Sequence, residues 1–182
     1  MINNLLTIVI PCKNSVRGLK KTVEDLMDKT KISGTSIIIP DFGSLDGSFQ
    51  YAAQSSSEFH KILRIESIKM EDGEDLSNLK DIVKTPYALV IVPGVSFKNK
   101  DIFIESINSI SNEETPLAYL KKNKALDPIM GSLLKKRRKV KAVFIKKENI
   151  TDISSIYNSD DPEIIIKNNS LSEGIKIEGF IG

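Results

Sequence analysis

Residues 36–47 read Ser-Ile-Ile-Ile-Pro-Asp-Phe-Gly-Ser-Leu-Asp-Gly, an apolar run that ends in a turn rich in Asp, Gly and Ser. Residues 7–14 read Thr-Ile-Val-Ile-Pro-Cys-Lys-Asn, a second apolar run that also ends in polar residues. Continuous apolar runs of this kind are typical of parallel strands that are buried on both faces. Ligands of open α/β sheets bind at the carboxyl ends of such strands. We therefore expect the two turns to lie side by side at one edge of a sheet.

Strand and helix patterns alternate through the first 111 residues, with Asn14 or Ser15 placed to cap the first helix. The predicted strands span 6–10, 36–40, 61–66 and 87–92, and the predicted helices span 16–31, 74–84 and 101–111, with a short helix after residue 47. This alternation predicts right-handed crossovers and a mostly parallel sheet with both faces covered.

The second half of the chain is more polar and more basic. Residues 113–139 are weakly periodic and are predicted to form a loop with one short helix. The remaining predicted elements are a strand at 141–145, helices at 148–157 and 163–173, and a last short strand at 175–180.

Composition sets bounds on the class of protein. The chain has 182 residues, of which 40% are apolar and 27% are charged, as in a soluble globular domain. Cys12 is the only cysteine and His60 the only histidine, so neither an intrachain disulfide nor a zinc site built from these two is expected. No stretch approaches the roughly 20 apolar residues of a membrane span, and no secretory signal is visible. We expect a cytoplasmic protein.

The two strand-turn units resemble the opening of a GT-A-type glycosyltransferase of family 2. There the first strand ends in Pro-x-(Tyr or Lys)-Asn and the second in Asp-Asp-Gly-Ser-x-Asp-Gly. The resemblance implies a GT-A (Rossmann-like) three-layer α/β sandwich with a mostly parallel central sheet, formed by a single domain over residues 1–182. Residues 1–112 would be its nucleotide-binding half and residues 113–182 its acceptor-side half.

The resemblance also implies which residues contact the nucleotide of a nucleotide-sugar. Phe42 stands where the family has its second Asp, so an aromatic ring replaces a hydrogen-bond acceptor. Lys13 would meet a phosphate, although a solvent-exposed lysine beside a helix cap fits it equally. Asp46 would cap the helix that follows it. The nucleotide-binding set implied by the resemblance is Pro11, Lys13, Asn14, Asp41, Phe42, Gly43 and Ser44.

The family's acidic Asp-x-Asp triplet, where a divalent metal meets the diphosphate, is absent. The corresponding strand and turn, Tyr87 to Ser96, contain no carboxylate. Hard cations need oxygen ligands, so we expect no divalent metal there and no other cofactor, the nucleotide-sugar being a substrate. Arg17, Lys98, Lys100 and the basic segment from Lys121 to Glu148 are candidate cations in its place. Residues 71–75 are acidic where the family is cationic, which disfavours ordinary donor binding.

A candidate general base lies near the C-terminus. Asp160-Asp161-Pro162-Glu163 resembles the Glu-Asp helix start at which inverting enzymes of the family carry their catalytic base. Asp161 is the best match, with Asp160 and Glu163 as alternatives. An acidic helix N-terminus that complements the helix dipole is the competing interpretation.

Five consecutive basic residues mark a candidate anionic contact. They have no interleaved aromatic residues for base stacking, so no nucleic-acid partner is expected. An anionic acceptor or a membrane surface is the expected partner, which would make the protein peripherally membrane-associated. The run consists of Lys135, Lys136, Arg137, Arg138 and Lys139.

Three hypotheses for function follow. The first is a glycosyltransferase that moves a sugar from a nucleotide-sugar donor to an unknown acceptor without an Asp-x-Asp-bound metal. The second is a pseudoenzyme, a non-catalytic GT-A-like domain retained for binding or assembly. The third is a nucleotide- or anion-binding α/β domain unrelated to sugar transfer. The resemblance favours the first.

Overall fold

The computed structural model describes residues 4–29, 32–71, 74, 76–97, 101–111, 117–120, 138–156, 163–166, 175–176 and 180–181. Its α-helices are α1 (Val16–Lys29), α2 (Ser48–Glu58), α3 (Leu79–Ile82) and α4 (Ile102–Ser111), and 3-10 helices span Leu76–Asn78 and Lys147–Asp152. Its strands are β1 (Leu6–Val9), β2 (Ser36–Asp41), β3 (Arg64–Lys69), β4 (Tyr87–Ile91), β5 (Ser96–Phe97), β6 (Leu117–Leu120), β7 (Arg138–Val140), β8 (Ala142–Lys146), β9 (Ile153–Ile156), β10 (Glu163–Ile166), β11 (Ile175–Lys176) and β12 (Phe180–Ile181).

A seven-stranded sheet in the order β11-β6-β8-β4-β1-β2-β3 forms the centre of the fold. β1 pairs in parallel with β2 and β4, and β2 pairs in parallel with β3. β8 runs antiparallel to both of its neighbours, so it is the one reversed strand of this sheet. The expectation of an α/β fold with a mostly parallel central sheet is confirmed.

The order of the strands determines which face of the sheet each helix covers. The chain steps outward from β1 through β2 to β3 and then returns to β4 beside β1. Because crossovers between parallel strands are right-handed, α1 and α2 cover one face of the sheet and the return segment covers the other. Strand residues such as Ile8, Ile37 and Leu89 are fully buried, as the continuous apolar runs predict.

The helices predicted over 148–157 and 163–173 are replaced in part by strands, and residues 147–152 form a 3-10 helix instead of an α-helix. Residues 153–156 form β9 and residues 163–166 form β10, which pair antiparallel, with Ile164 opposite Ser155. β10 also pairs with β7. Glu163 therefore begins a strand, and the prediction of a helix over 163–173 is wrong for residues 163–166, the part of it that the structure describes. Branched isoleucines suit a pleated strand better than a helix, and pairing partners outweigh the helical spacing of these short segments.

Three further boundaries differ from the prediction. The third strand begins at Arg64, because residues 60–62 form a turn after α2. The helix predicted over 74–84 consists of a 3-10 turn followed by the short α3. Within the segment predicted as a loop with one helix, β6 inserts between β11 and β8. No helix in the described part of the chain is long and apolar enough to cross a membrane.

Candidate functional site

Two loops lie next to each other at the carboxyl edge of the central sheet. The first loop, residues 10–15, follows β1, and the second loop, residues 42–47, follows β2. The Cys12 N–H donates to Pro40 O at 2.8 Å, and the Phe42 N–H donates to Cys12 O at 2.9 Å. These bonds extend the parallel pairing beyond the strands. The prediction that the two turns lie side by side is confirmed.

Asn14 joins the first loop to the second. Its backbone is in the left-handed region, with φ 47°, a conformation that Asn tolerates better than most residues. Its N–H donates to Ser44 Oγ at 3.0 Å, and its Oδ1 accepts the Leu45 N–H at 2.7 Å. Asn14 therefore holds the second loop from both its backbone and its side chain.

A single carboxylate serves the first N–H group of two helices. Asp46 Oδ2 accepts the Val16 N–H of α1 at 2.8 Å, and Oδ1 accepts the Ser48 N–H of α2 at 3.0 Å. The Ser15 N–H donates to Ser48 Oγ, while the Ser15 hydroxyl turns back to Lys13 O. Burial opposes ionisation of Asp46, but the hydrogen bonds from Ser48 and Val16 outweigh it and lower its pKa.

This arrangement refines the capping predictions. The residue that precedes α2 is Gly47, in the left-handed region, and Asp46 reaches α2 from one position earlier. The cap of α1 comes from the second loop, because neither Asn14 nor Ser15 supplies a side-chain acceptor to the first turn in the bonds described above. One ionised carboxylate at two helix N-termini also complements both helix dipoles.

Asp41 carries a buried, unpaired acceptor at the site. It ends β2, is only 2% exposed, and its Oδ1 accepts the Ser44 N–H at 2.9 Å. Its Oδ2 is buried and accepts no hydrogen bond from the described residues. Buried carboxylate oxygens are normally hydrogen-bonded, so an unpaired one between two loops is suited to a ligand N–H or O–H donor.

Beside Asp41, the two loops contribute a neutral thiol from Cys12 and an aromatic ring from Phe42. Burial raises the pKa of the Cys12 thiol to about 11, and the nearby Asp41 carboxylate adds to the shift. The thiol is therefore protonated at neutral pH and is a poor nucleophile. Phe42 is half-buried and packs against the core rather than standing free. Gly43 and Gly47 have φ values of 76° and 91°, which the turn requires.

A third loop reaches the same edge. The β4 loop, residues 92–95, leads from β4 to β5, and β4 pairs with β1. The Gly94 N–H donates to Gly18 O at 3.0 Å and to Thr22 Oγ1 at 2.9 Å, and the Thr22 hydroxyl donates to Val95 O at 3.1 Å. Lys21 Nζ donates to Gly94 O at 3.2 Å. Three residues of α1 thus hold this loop.

Gly18 permits that close approach. A Cβ atom at Gly18 would stand 3.0 Å from both Gly94 N and the Pro93 carbonyl carbon. These are backbone atoms, which cannot swing away as a flexible side chain does. α1 and the β4 loop are therefore in direct backbone contact.

The residues present do not fit the metal that the resemblance implies. The β4 loop contains no carboxylate, and among the described residues no group of three His, Cys, Asp or Glu side chains is placed to hold a metal ion. In the acidic segment after β3, the Glu74 carboxylate already accepts hydrogen bonds from the Glu71 N–H and from Asn78 Nδ2.

The remaining sequence-predicted residues fall elsewhere. Arg17 is exposed on α1. Arg138 and Lys139 belong to β7. The other candidates lie outside the described residues, namely Lys98, Lys100, Lys135, Lys136, Arg137, Asp160 and Asp161.

A cavity of about 400 Å³ lies at the opposite edge of the sheet. Its lining includes Thr7, Ser36, Arg64 and Thr85, at or just before the amino ends of strands β1 to β4. None of the predicted site residues that the structure describes lines it. The loops at the carboxyl edge, which the fold positions for ligands, are therefore the candidate functional site.

Sequence comparison identifies a relative but no family model. No family model matches the chain. A processive diacylglycerol beta-glycosyltransferase of Mycoplasma genitalium is 26% identical over 169 residues, which covers 87% of this chain and 49% of that protein. The chain therefore spans about half the length of the curated relative that it matches.

Solved structures share the fold. TarS of S. aureus in complex with UDP-GlcNAc has a TM-score of 0.56 at 12% identity, over 81% of this chain and 47% of that one. The mannosyltransferase PcManGT of Pyrobaculum calidifontis, in complex with GDP-Man and Mn2+, has a TM-score of 0.55 at 12% identity. That match covers 65% of this chain and 35% of the mannosyltransferase. At these identities the likeness is one of fold.

Proposed function

We propose that this chain, which has the GT-A-like fold of glycosyltransferases and a glycosyltransferase as its curated relative, binds a nucleotide-sugar between its first and second loops and transfers the sugar to an acceptor hydroxyl. The observation that carries the proposal is the buried, unpaired Oδ2 of Asp41. It lies where the two loops meet, and a nucleobase N–H or a ribose hydroxyl is a suitable donor to it.

The rest of the loop pair supports nucleotide binding. Asn14 and Ser44 fix the positions of the two loops, and Gly43 keeps the turn free of a side chain. Phe42 supplies an apolar wall in place of a second carboxylate. Lys13, half-exposed on the first loop, is proposed to meet a phosphate, and Pro11 lies buried in the same loop, two residues after the end of β1. UDP-GlcNAc and GDP-Man in the related structures are ligands of the same chemical class.

For the chemical step we propose Asp161 as the general base, with Asp160 and Glu163 as alternatives. The acceptor hydroxyl must lose a proton as it attacks the anomeric carbon, and a positioned carboxylate can accept it. The support is the resemblance of residues 160–163 to the family motif. The helix dipole gives no support, because Glu163 begins β10 rather than a helix.

Asp161→Asn should lower transferase activity by about a hundredfold or more, the range expected for general-base assistance. Asp160→Asn tests the first alternative: it should retain most of the activity if Asp161 is the base and lose it if Asp160 is the base. If both variants transfer sugar at the wild-type rate, the base lies elsewhere.

The acceptor is proposed to be a glycerolipid hydroxyl at a membrane surface. The curated relative is named for diacylglycerol. The basic run Lys135 to Lys139 is suited to an anionic surface and supports peripheral association from the cytoplasmic side. Transfer of radiolabelled sugar to diacylglycerol in mixed anionic vesicles tests this acceptor, with a water-soluble sugar as the contrasting acceptor.

Donor binding is tested first by ligand-dependent thermal stability. UDP, GDP, UDP-glucose, UDP-galactose, UDP-GlcNAc and GDP-mannose are each added with EDTA and, separately, with Mn²⁺. A true donor at 100 times its dissociation constant should stabilise the fold by about 2.7 kcal/mol. If no nucleotide or nucleotide-sugar stabilises the protein under either condition, the proposed function is wrong.

A non-catalytic GT-A-like domain is the second candidate. The β4 loop favours it, because that loop has no carboxylate and is held against α1 by Gly18 and Thr22. This candidate predicts nucleotide binding without sugar transfer or donor hydrolysis. Product analysis after prolonged incubation with each stabilising donor separates the two.

A further inference from the structure

We infer that the ammonium group of Lys21, held at the β4 loop by α1, binds the donor diphosphate at the place where the GT-A resemblance implies a divalent metal. This inference rests on the proposed function and names the group that would carry the positive charge. Its basis is that the β4 loop lacks the acidic triplet that holds the metal in the family it resembles.

The position of the loop is the first step. β1 and β4 are adjacent parallel strands with Val9 opposite Val90, so the first loop and the β4 loop leave the sheet at the same edge. A nucleotide held at Asp41 would therefore have its diphosphate near the β4 loop if it extends across β1 toward β4. Lys21 Nζ stands at this loop, 3.2 Å from Gly94 O.

The chemistry of an ammonium group is the second step. A lysine ammonium has three N–H donors and no acceptor. One donates to Gly94 O, and Lys21 is an exposed residue whose ammonium makes no other hydrogen bond to the described part of the chain, so two donors remain for phosphate oxygens. The carbonyl contact directs the ammonium without neutralising it.

The anchoring of the loop is the third step. Gly18 brings α1 into backbone contact with Pro93 and Gly94, and the buried Thr22 hydroxyl both accepts the Gly94 N–H and donates to Val95 O. The loop and the lysine are therefore fixed to one helix. A charge that is positioned before the reaction stabilises developing charge more effectively than one that must reorganise.

The role of Lys21 in the reaction is electrostatic. As the acceptor oxygen bonds to the anomeric carbon, the bond from that carbon to the diphosphate oxygen breaks, and the electron pair stays on the diphosphate. The acceptor proton passes to the general base. Lys21 stabilises the departing nucleoside diphosphate through its positive charge and N–H donors, as a metal does in metal-dependent transfer.

The neighbouring Lys20 provides a matched control. It is also an exposed lysine of α1, but its Nζ lies over the Tyr51 ring, 5.4 Å from the ring centroid. Both side chains are cationic and both start from the same turn of α1. Their ammonium groups contact different parts of the protein. Lys20→Met should therefore change overall charge as Lys21→Met does, without altering the β4 loop.

The test is calorimetric titration in EDTA with UDP, GDP, uridine and guanosine. Lys21→Met should weaken binding of the diphosphate by about tenfold or more, since charge-assisted hydrogen bonds are among the strong ones. Lys21→Met should leave the affinity for uridine and guanosine unchanged within about twofold. Lys20→Met should leave the affinity for all four ligands unchanged within the same range. Lys21→Arg should recover part of the lost affinity. Thermal unfolding without ligand confirms that all variants are folded.

The outcomes separate this inference from the proposed function. If Lys21→Met and Lys20→Met bind UDP and GDP as the wild type does, Lys21 is not the diphosphate ligand, whereas nucleotide binding stands. A wild-type affinity that rises by about tenfold with Mn²⁺ would also overturn the inference, because a metal would then supply the charge. If the wild type binds none of the four ligands, both proposals fail together.

Discussion

The loops after β1 and β2 and the loop after β4 lie at the same edge of the sheet but are built differently. The first pair is held by side chains, with Asn14, Ser44 and Asp46 forming hydrogen bonds across it, and Asp41 Oδ2 is buried there without a hydrogen bond from the described residues. The β4 loop is held by backbone contact with Gly18 and by the Thr22 hydroxyl. It offers a cation at its rim.

The two arrangements offer different chemistry at one edge of the sheet. The loop pair has an unpaired carboxylate oxygen at Asp41. The β4 loop has Pro93 and Gly94 and no carboxylate, and its hydrogen bonds join it to α1. The same parallel strands support both arrangements, since side chains beyond the strand ends do not contribute to pairing in the sheet.

The largest effect is expected for Asp41→Asn. The amide would still accept the Ser44 N–H through its oxygen, but it would present an NH₂ donor where Oδ2 now presents an acceptor. Nucleotide affinity should fall by about 10- to 100-fold, the value of a hydrogen bond to a charged group. Calorimetric titration measures this, with Asp28→Asn, at an exposed position on α1, as the control.

The same variant should not lose stability. An unpaired buried carboxylate costs free energy in the ligand-free protein, so its neutral amide should leave the free energy of unfolding unchanged or slightly higher. Urea unfolding of Asp41→Asn checks this. A variant that unfolds more easily and binds nucleotide normally would show that Asp41 is structural, and the contrast between the two loops would then fail.

A moderate effect is expected for Thr22→Val, in α1 where it holds the β4 loop. Valine has nearly the shape of threonine but lacks the hydroxyl that bonds both Gly94 N–H and Val95 O. Leaving a buried acceptor unsatisfied should lower the free energy of unfolding by about 1–2 kcal/mol. Urea unfolding provides the measurement.

Thr22→Ser keeps the hydroxyl and is the matched control. It should be closer to the wild type than Thr22→Val is. Equal loss in both variants would mean that the methyl group, rather than the hydrogen bonds, holds the loop to α1.

The smallest effect is expected for Asp46→Ala. Removing a helix-capping carboxylate should lower stability by about 1 kcal/mol at neutral pH, even though this one bonds two helices, because it is exposed. The folded-state pKa of Asp46 is lowered. Its stabilisation is therefore present above the unfolded pKa of about 3.9 and is lost as the pH falls through the folded value.

Urea unfolding of the wild type and of Asp46→Ala between pH 3 and pH 7 tests this sign. The difference in stability between them should be constant above about pH 5 and should shrink below about pH 4. A difference that grows on acidification would contradict the lowered pKa and the proposed double cap.

Much of the first half could be predicted from local pattern. The apolar runs of β1, β2 and β4 lie within a residue or two of their predicted positions, because strands buried on both faces need continuous apolar residues. The short segments at 153–156 and 163–166 could not be assigned in this way. Their isoleucines fit either a helix or a strand, and only pairing between β9, β10 and β7 selects the strand.

The site residues also divide into those that a local sequence motif predicts and those that it does not. Asp41, Asn14 and Ser44 are in a motif that can be identified in the sequence, because they act within loops whose ends are set by adjacent strands. The contact between Lys21 and the β4 loop has no local signature, since Lys21 and Gly94 are 73 positions apart. The only hint is a glycine at position 18 in a helix that would otherwise favour a larger residue.

The amino-acid sequence by itself determined the two strand-turn units and the absence of a carboxylate after β4, because both are properties of residue type and order. Tertiary structure alone decided that Asp46 caps α1 as well as bonding α2, and that Lys21 rather than Arg17 meets the β4 loop. Capping and charge placement across a fold depend on which backbone atoms come within hydrogen-bond reach. That reach is set by the packing of Gly18 against Gly94 and of the first loop against the second.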